Sequence, residues 1–251
     1  MTTEIARIET TNFLALQDGG AIAEAMQANM GAEASLKESD LTRITIPAGG
    51  GTSWMIPTLL GDETPKSLEG VLVWQCVRGL LWPSHSPTEG TLPVLCSHDL
   101  KVGNLVCDQE NVPKDVWDSI QIARRDDGLF DWDKLPQTQW GSGTGGTGKA
   151  VKEQRVLFIL REQDALPCVV TISPGSLKEW SKFMIEMTKA GIPFYRAVVS
   201  LSLEKDKATS GESFSRVVPK LAGVLSSEDG EVIREKFSAP MREVALSSFS
   251  G

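Results

Sequence analysis

Residues 139–160 read QWGSGTGGTGKAVKEQRVLFIL. Trp140 supplies a flat aromatic surface, and residues 142–148 carry almost no side chains. Lys149, Lys152 and Arg155 then lead into the apolar run from Val156 to Leu160, which predicts a buried strand. An indole, a glycine-rich loop and a basic ramp beside a strand suit a polyanion with stackable faces, of which single-stranded nucleic acid is the obvious one. Glycine density by itself also describes a plain mobile surface loop.

Gly143, Gly148 and Lys149 fit G-x-x-x-x-G-K, the start of a P-loop. The pattern then requires Ser or Thr for magnesium, and Ala150 stands there. A P-loop also joins a strand to a helix, whereas residues 135–138 make a poor strand and the following residues are strand-like. A nucleotide hydrolase is therefore not the expectation.

Composition sets further bounds. The chain has 251 residues and a net charge of −8, which argues against a general polyanion binder. The charge is unevenly spread: −6 over residues 1–70, −3 over 71–150, +3 over 151–220 and −2 over 221–251. The one basic segment directly follows the glycine-rich loop, and a groove can be locally positive on an acidic protein. No apolar run has membrane-span length and the N-terminus is unlike a signal peptide, so a soluble, cytoplasmic protein is expected. Cys76, Cys96, Cys107 and Cys168 are too scattered for a disulfide framework.

Working outward, the 18–30 segment has helical character and carries no chemistry. Alternation predicts strands at 41–47, 54–57 and 68–81. In the last of these Trp74 and Arg78 share one face and are candidates for a half-exposed, ligand-facing pair. The 81–99 stretch is full of breakers and holds Trp82 and both histidines, His85 and His98. Cys96, His98 and Cys107 have a faint metal-ligand look but match no zinc spacing. Residues 100–136 read as an acidic, irregular, solvated insertion, whose clustered Asp side chains lack a nucleophile or base at a defined spacing.

After the opening stretch come a strand at 168–172, making a plausible hairpin with 156–160, and the clearest helix, 176–190. Ser176 and Glu179 form its expected capping box. A strand is expected at 194–203, with either Phe194 or Tyr195 facing outward. Glu204 to Glu212 reads as a charged loop. A last strand at 214–221 is demoted to an edge by Pro219, and a Ser-capped helix starts at Ser226. The tail SSFSG reads as disordered.

These elements make a mainly β (α+β) chain. The expected architecture is an OB-fold-like barrel with one inserted helix and long irregular insertions, although a β-sandwich fits the same periodicities. The expected organisation is an N-terminal helical or flexible segment (1–40), a nucleic-acid-binding domain (41–222), and a C-terminal helix with a flexible tail (223–251).

Two runs carry a resemblance: QWGSG with GKAVKEQRVLFILRE, and LPCVVTISPGSLKEWSKFMIEMTKAGIPFYRAVVSLSLE. Together they resemble a family of phage and prophage single-stranded DNA-binding proteins. The resemblance covers roughly residues 70–222 and is strongest in 139–204. It implies an OB fold and a role in viral (phage) DNA replication or DNA recombination. Members carry a cysteine cluster before the glycine-rich loop and a cysteine after the G-K-A triplet, which looks like a zinc site. Here Val151 occupies the latter position, residues 136 and 137 are not cysteine, and Cys107 alone reads as a remnant. Zinc is thereby weakened, no cofactor is expected, and Trp117, Trp132 and Trp140 are candidates to hold that region by packing.

The expectation is thus a sequence-tolerant single-stranded DNA-binding protein and not an enzyme. Bases stack on aromatics and phosphates pair with Lys and Arg. The candidate contacts are Trp140, Lys149, Lys152, Arg155, Tyr195, Arg196, Arg216 and Lys220, with Trp54, Trp74 and Trp82 behind them. Expected partners are single-stranded DNA, replication or recombination proteins, and a second copy of the chain, with no membrane. The alternatives are a protein-interaction module, for anti-defence or assembly, on the same fold, or a nucleotide- or metal-dependent enzyme.

Overall fold

The computed structural model describes residues 13–17, 24–25, 27–29, 31, 36–84, 88, 90–208 and 211–247. The strands are β1 (Arg43–Ile44), β2 (Ser67–Leu81), β3 (Leu95–Ser97), β4 (Val102–Leu105), β5 (Phe130–Asp131), β6 (Lys152–Leu160), β7 (Cys168–Ile172), β8 (Ala197–Lys207) and β9 (Ser213–Val224). The main helices are α1 (Lys114–Ile120), α2 (Pro174–Lys189), α3 (Ser227–Ile233) and α4 (Ala239–Ser247). The chain is mainly β with a mixed sheet and a few helices. Among the described residues no helix is long and apolar enough to cross a membrane. Most of the 18–30 segment, His85 and the SSFSG tail beyond Ser247 lie outside the described residues.

Contacts divide the chain into two units, one from the residues up to Gln75 together with those from Val156 onward, the other from Cys76–Arg155. In the first, the strand order is β1-β7-β6-β2, and β2 continues to β8 and β8 to β9. β1 and β7 are parallel (Arg43↔Val169, Ile44↔Val170). β8 and β9 form a long antiparallel ladder from Ala197↔Val224 to Lys207↔Ser213. The connection between β6 and β7 is too short for a parallel crossover, so the expected hairpin is present.

Alternation builds the core. One face of every strand contributes: Ile44, Leu68 and Leu72, Leu157 and Ile159, Cys168, Val170 and Ile172, Ala197 through Leu203 at every second residue, and Val217. Helix α2 adds Trp180 and Met187, with Leu177, Phe183 and Met184 along the same stripe. The sheet does not close into a barrel by a continuous ladder. Among the described residues its two ends are linked by the bridge Ala48↔Phe214 and by the Ser215 hydroxyl donating to the Pro47 carbonyl at 2.7 Å.

Several local expectations are corrected. The 41–47 strand shrinks to Arg43–Ile44, and 54–57 makes only isolated bridges, Thr45↔Met55 and Ile56↔Glu63. β8 continues through the charged residues to Lys207, because the β9 ladder continues opposite them. Phe194–Arg196 is a 3-10 turn, so strand alternation does not apply there and both Phe194 and Tyr195 are half-buried. Pro219 does lie on an edge strand, since β9 pairs with β8 alone.

The capping box is also corrected. α2 starts at Pro174 after an extended Ser173, the position where a missing N–H costs nothing. Ser176 is therefore inside the first turn, fully buried, and its Oγ accepts the Val217 N–H at 2.9 Å. Glu179 instead pairs with Lys182 at 3.0 Å on the surface. The helix ends as expected at Gly191 (φ +69), where Ile192 N–H reaches the Met187 carbonyl at 2.9 Å. Trp180 Nε1 donates to Gln75 Oε1 at 2.9 Å, which fixes the helix to β2.

The second unit has its own core, so 100–136 is no solvated insertion. The end of β2 pairs with β3 (Gly79↔Ser97 to Leu81↔Leu95), β3 with β4, and β4 with β5. Leu81, Val94, Leu95, Ile120, Phe130, Trp132, Leu135 and Val151 pack together. Val151 is thus a core residue. The acidic side chains point outward, with Asp131 paired to Lys134 at 2.6 Å. Helix α1 was not expected; its seven residues hold one fully buried side chain, Ile120, too little periodicity to read in sequence.

Ser176→Ala strands a buried backbone donor, and urea denaturation should show a loss of about 1–3 kcal/mol. Glu179→Gln should move the midpoint far less, whereas a true capping box would make both substitutions costly.

Candidate nucleic-acid interface

The glycine-rich segment is a closed, hydrogen-bonded loop. Gly141 N–H donates to the Gly148 carbonyl at 2.6 Å, across the base of the loop. The Ser142 hydroxyl accepts the Ala150 N–H at 3.0 Å and faces the Gln137 and Gln139 carbonyls at 2.8 and 2.7 Å. Val151 N–H also reaches Gln137 O, at 3.2 Å. A Cβ on Gly143 would overlap the Thr147 carbonyl oxygen, so only glycine permits this fold-back. The loop passes directly into β6, without the helix N-terminus that a P-loop supplies to phosphates.

Trp140 stands beside this loop with 83% of its surface exposed. The chain has seven tryptophans, and Trp140 is the one that is exposed. Trp54 and Trp132 are buried in the cores of their units and Trp180 is buried under α2. Trp117 and Trp132 do hold the second unit by packing, and Trp140 does not.

The basic ramp is only partly free. Lys149 pairs with Glu153 at 2.6 Å. Lys152 is exposed on β6. Arg155 is half-buried, and burial lowers its guanidinium pKa while Cys76 acts in the opposite direction. Trp82 is half-buried in the same unit and lines a cavity of about 490 Å³ with Asp115, Ser119, Gln137 and Ser142. Ser119 and Gln137 come from separate stretches of the chain, and nothing in the sequence pattern singles them out.

The remaining candidates belong to the other unit. Trp54 is removed from any contact surface: it is fully buried, and its Nε1 donates to the Leu201 carbonyl at 2.8 Å. Trp74 is half-buried and meets Phe194 edge-on at 5.8 Å, and Phe194 meets Tyr195 at 5.5 Å. Arg196 is committed to the Leu225 carbonyl at 3.0 Å. Arg216 bridges Glu204 at 2.8 Å and Asp206 at 3.3 Å, the first directly across the β8–β9 ladder. Lys220 is exposed. Arg78, expected to face a ligand, is buried in the second unit. The structure thus gathers Trp82, Trp140, Lys149, Lys152 and Arg155 in the 76–155 unit.

No family model, curated protein or solved structure matches this chain.

Metal chemistry has little to build on. Among the described residues no three His, Cys, Asp or Glu side chains converge on a common point. Cys96 Sγ and His98 Nε2 lie 3.8 Å apart, and Cys107 packs on the apolar core, where burial raises its thiol pKa. Asp99 spends its carboxylate on the chain itself, accepting N–H groups from Lys101 at 2.8 Å and Val102 at 2.9 Å. Partial burial works against its ionisation, but these donors hold its pKa below the usual carboxylate value. None of the four cysteines is in a disulfide, and burial pushes the Cys168 thiol up to about 12.

Trp140→Phe should remove most of the iodide-quenchable fluorescence of the folded protein. Retention of that quenching would place another indole at the surface.

Proposed function

We propose that this protein binds single-stranded DNA with little sequence preference, using the surface around the 139–152 loop. The observation that carries the reading is Trp140, a fully presented indole on a loop whose base is locked by its own hydrogen bonds. A large exposed aromatic is costly to leave in water and has a use where bases stack, at about 1–3 kcal/mol per base. A loop that is already ordered loses less entropy on binding.

The exposed Lys152 and the half-buried Arg155 supply positive charge in the same unit. Lys149 joins them when a phosphate competes with Glu153, because an exposed ion pair is worth only about 0–1 kcal/mol. The six-stranded sheet around one core, with α2 inserted between β7 and β8, supports an OB-type barrel, an architecture that is itself partly open. A role in phage DNA replication or recombination follows from the resemblance of the 139–204 region and belongs to the same proposal, as does a cytoplasmic location.

A second reading, a protein-docking module, draws on one observation. The hairpin closed by Ile56 and Glu63 (2.9 Å in both directions) carries Leu59 and Leu60 fully exposed at its tip. Its binding would be insensitive to salt.

Tryptophan fluorescence titration with oligo-dT at about 50 and 200 mM salt tests the proposal. Saturable quenching that weakens steeply with salt is expected, with affinity falling about 5- to 150-fold in Trp140→Ala. Absence of binding at the lower salt overturns it.

A further inference from the structure

The cavity of about 490 Å³ in the 76–155 unit sits at the root of the glycine-rich loop, since Ser142 and Ala150 belong to both. One wall is the half-buried Trp82, with Leu81 beside it. Its polar lining has an unusual balance. The Ser119 hydroxyl donates to the Val116 carbonyl at 2.7 Å, so its oxygen is left to accept from Gln137 Nε2 at 2.6 Å. That fixes the orientation of the Gln137 amide, and its Oε1 is then shielded from bulk solvent without a hydrogen-bond partner. The Ser142 proton is likewise directed at the Gln137 or Gln139 carbonyl. The remaining charged group on the lining is the Asp115 carboxylate, an acceptor only.

Beside its indole wall and the Ser84 hydroxyl, the cavity therefore offers two uncompensated acceptors, the Gln137 Oε1 and the Asp115 carboxylate. A carboxylate on the lining disfavours a phosphate and favours a group that brings N–H donors. An orphaned buried oxygen calls for the same complement. Among nucleobases, guanine presents the most donors side by side, N1–H and N2–H₂, while thymine presents two carbonyl oxygens to the same surface.

We propose that this cavity takes one unstacked guanine from a bound single strand. The base packs against Trp82 and donates N–H groups to Asp115 and Gln137. The inference rests on the single-strand-binding reading and adds to it a local base preference at one position.

The test is fluorescence-anisotropy binding of an oligo-dT and of the same oligonucleotide with a single central dG, dA or dC. The dG oligonucleotide should bind at least about 5-fold more tightly than the dT parent, the lower end of a bidentate contact. Asp115 is exposed and serves the fold through no ion pair, so Asp115→Asn should erase that preference while leaving oligo-dT affinity equal or slightly higher. Gln137→Met should also reduce the preference. Equal affinity for all four oligonucleotides overturns the guanine site and leaves the single-strand proposal standing. A dG preference that survives Asp115→Asn overturns the assignment to this cavity. Failure to bind any of them overturns both.

Discussion

β2 carries two glycines, and each leaves a gap that another group occupies. A Cβ at Gly70 would overlap the Leu160 carbonyl of β6. A Cβ at Gly79 would overlap the indole of Trp132. The first gap lets β6 lie closely against β2 in the unit that holds the larger core. The second seats the largest side chain of the 76–155 core, whose packing depends on it. Glycine in a strand interior costs entropy and offers no side chain, so its presence at both points reflects the close approach of other groups.

The charge pattern follows a similar logic of local commitment. Arg161 is buried and holds Asp164 through two nitrogens, at 2.7 and 3.0 Å, and Glu63 through a third at 2.9 Å. These carboxylates raise its pKa above the ordinary value even though burial alone would lower it. Arg196 and Arg216 are also committed within the fold. The arginines at 161, 196 and 216 are thus structural, whereas Lys152, Lys178, Lys205, Lys207 and Lys220 of the same segment are exposed.

Much of the fold was legible in the sequence. Alternation in 68–81 and 194–203 and the short apolar runs at 156–160 and 168–172 located four strands, the 194–203 one starting three residues early, and the Trp180/Met187 stripe located the main helix. Its cap was misread because Ser176 followed by Glu179 satisfies the capping pattern, while the preceding Pro174 already starts the helix. The buried Ser176 serves a strand distant in sequence, a role no local pattern displays. The acidic 100–136 stretch concealed a core because its apolar residues are spaced irregularly, by short turns of 3-10 helix, and not at a strand or helix period.

The candidate site divides in the same way. Trp140, the glycine-rich loop and its basic ramp are adjacent in sequence, so their association was determined by the chain alone. The closure of that loop was not, because it rests on backbone bonds across its base and on the Ser142 hydroxyl contacting residues on both sides, which no local pattern displays. Only the tertiary structure separated the buried Trp54 and Arg78 from the exposed Trp140, since residue type does not report burial. It alone assembled the Trp82–Asp115–Gln137 cavity, whose walls come from segments far apart in the chain. Local periodicity specifies which residues turn inward, but which inward residues meet is set by strand pairing and packing across the whole fold.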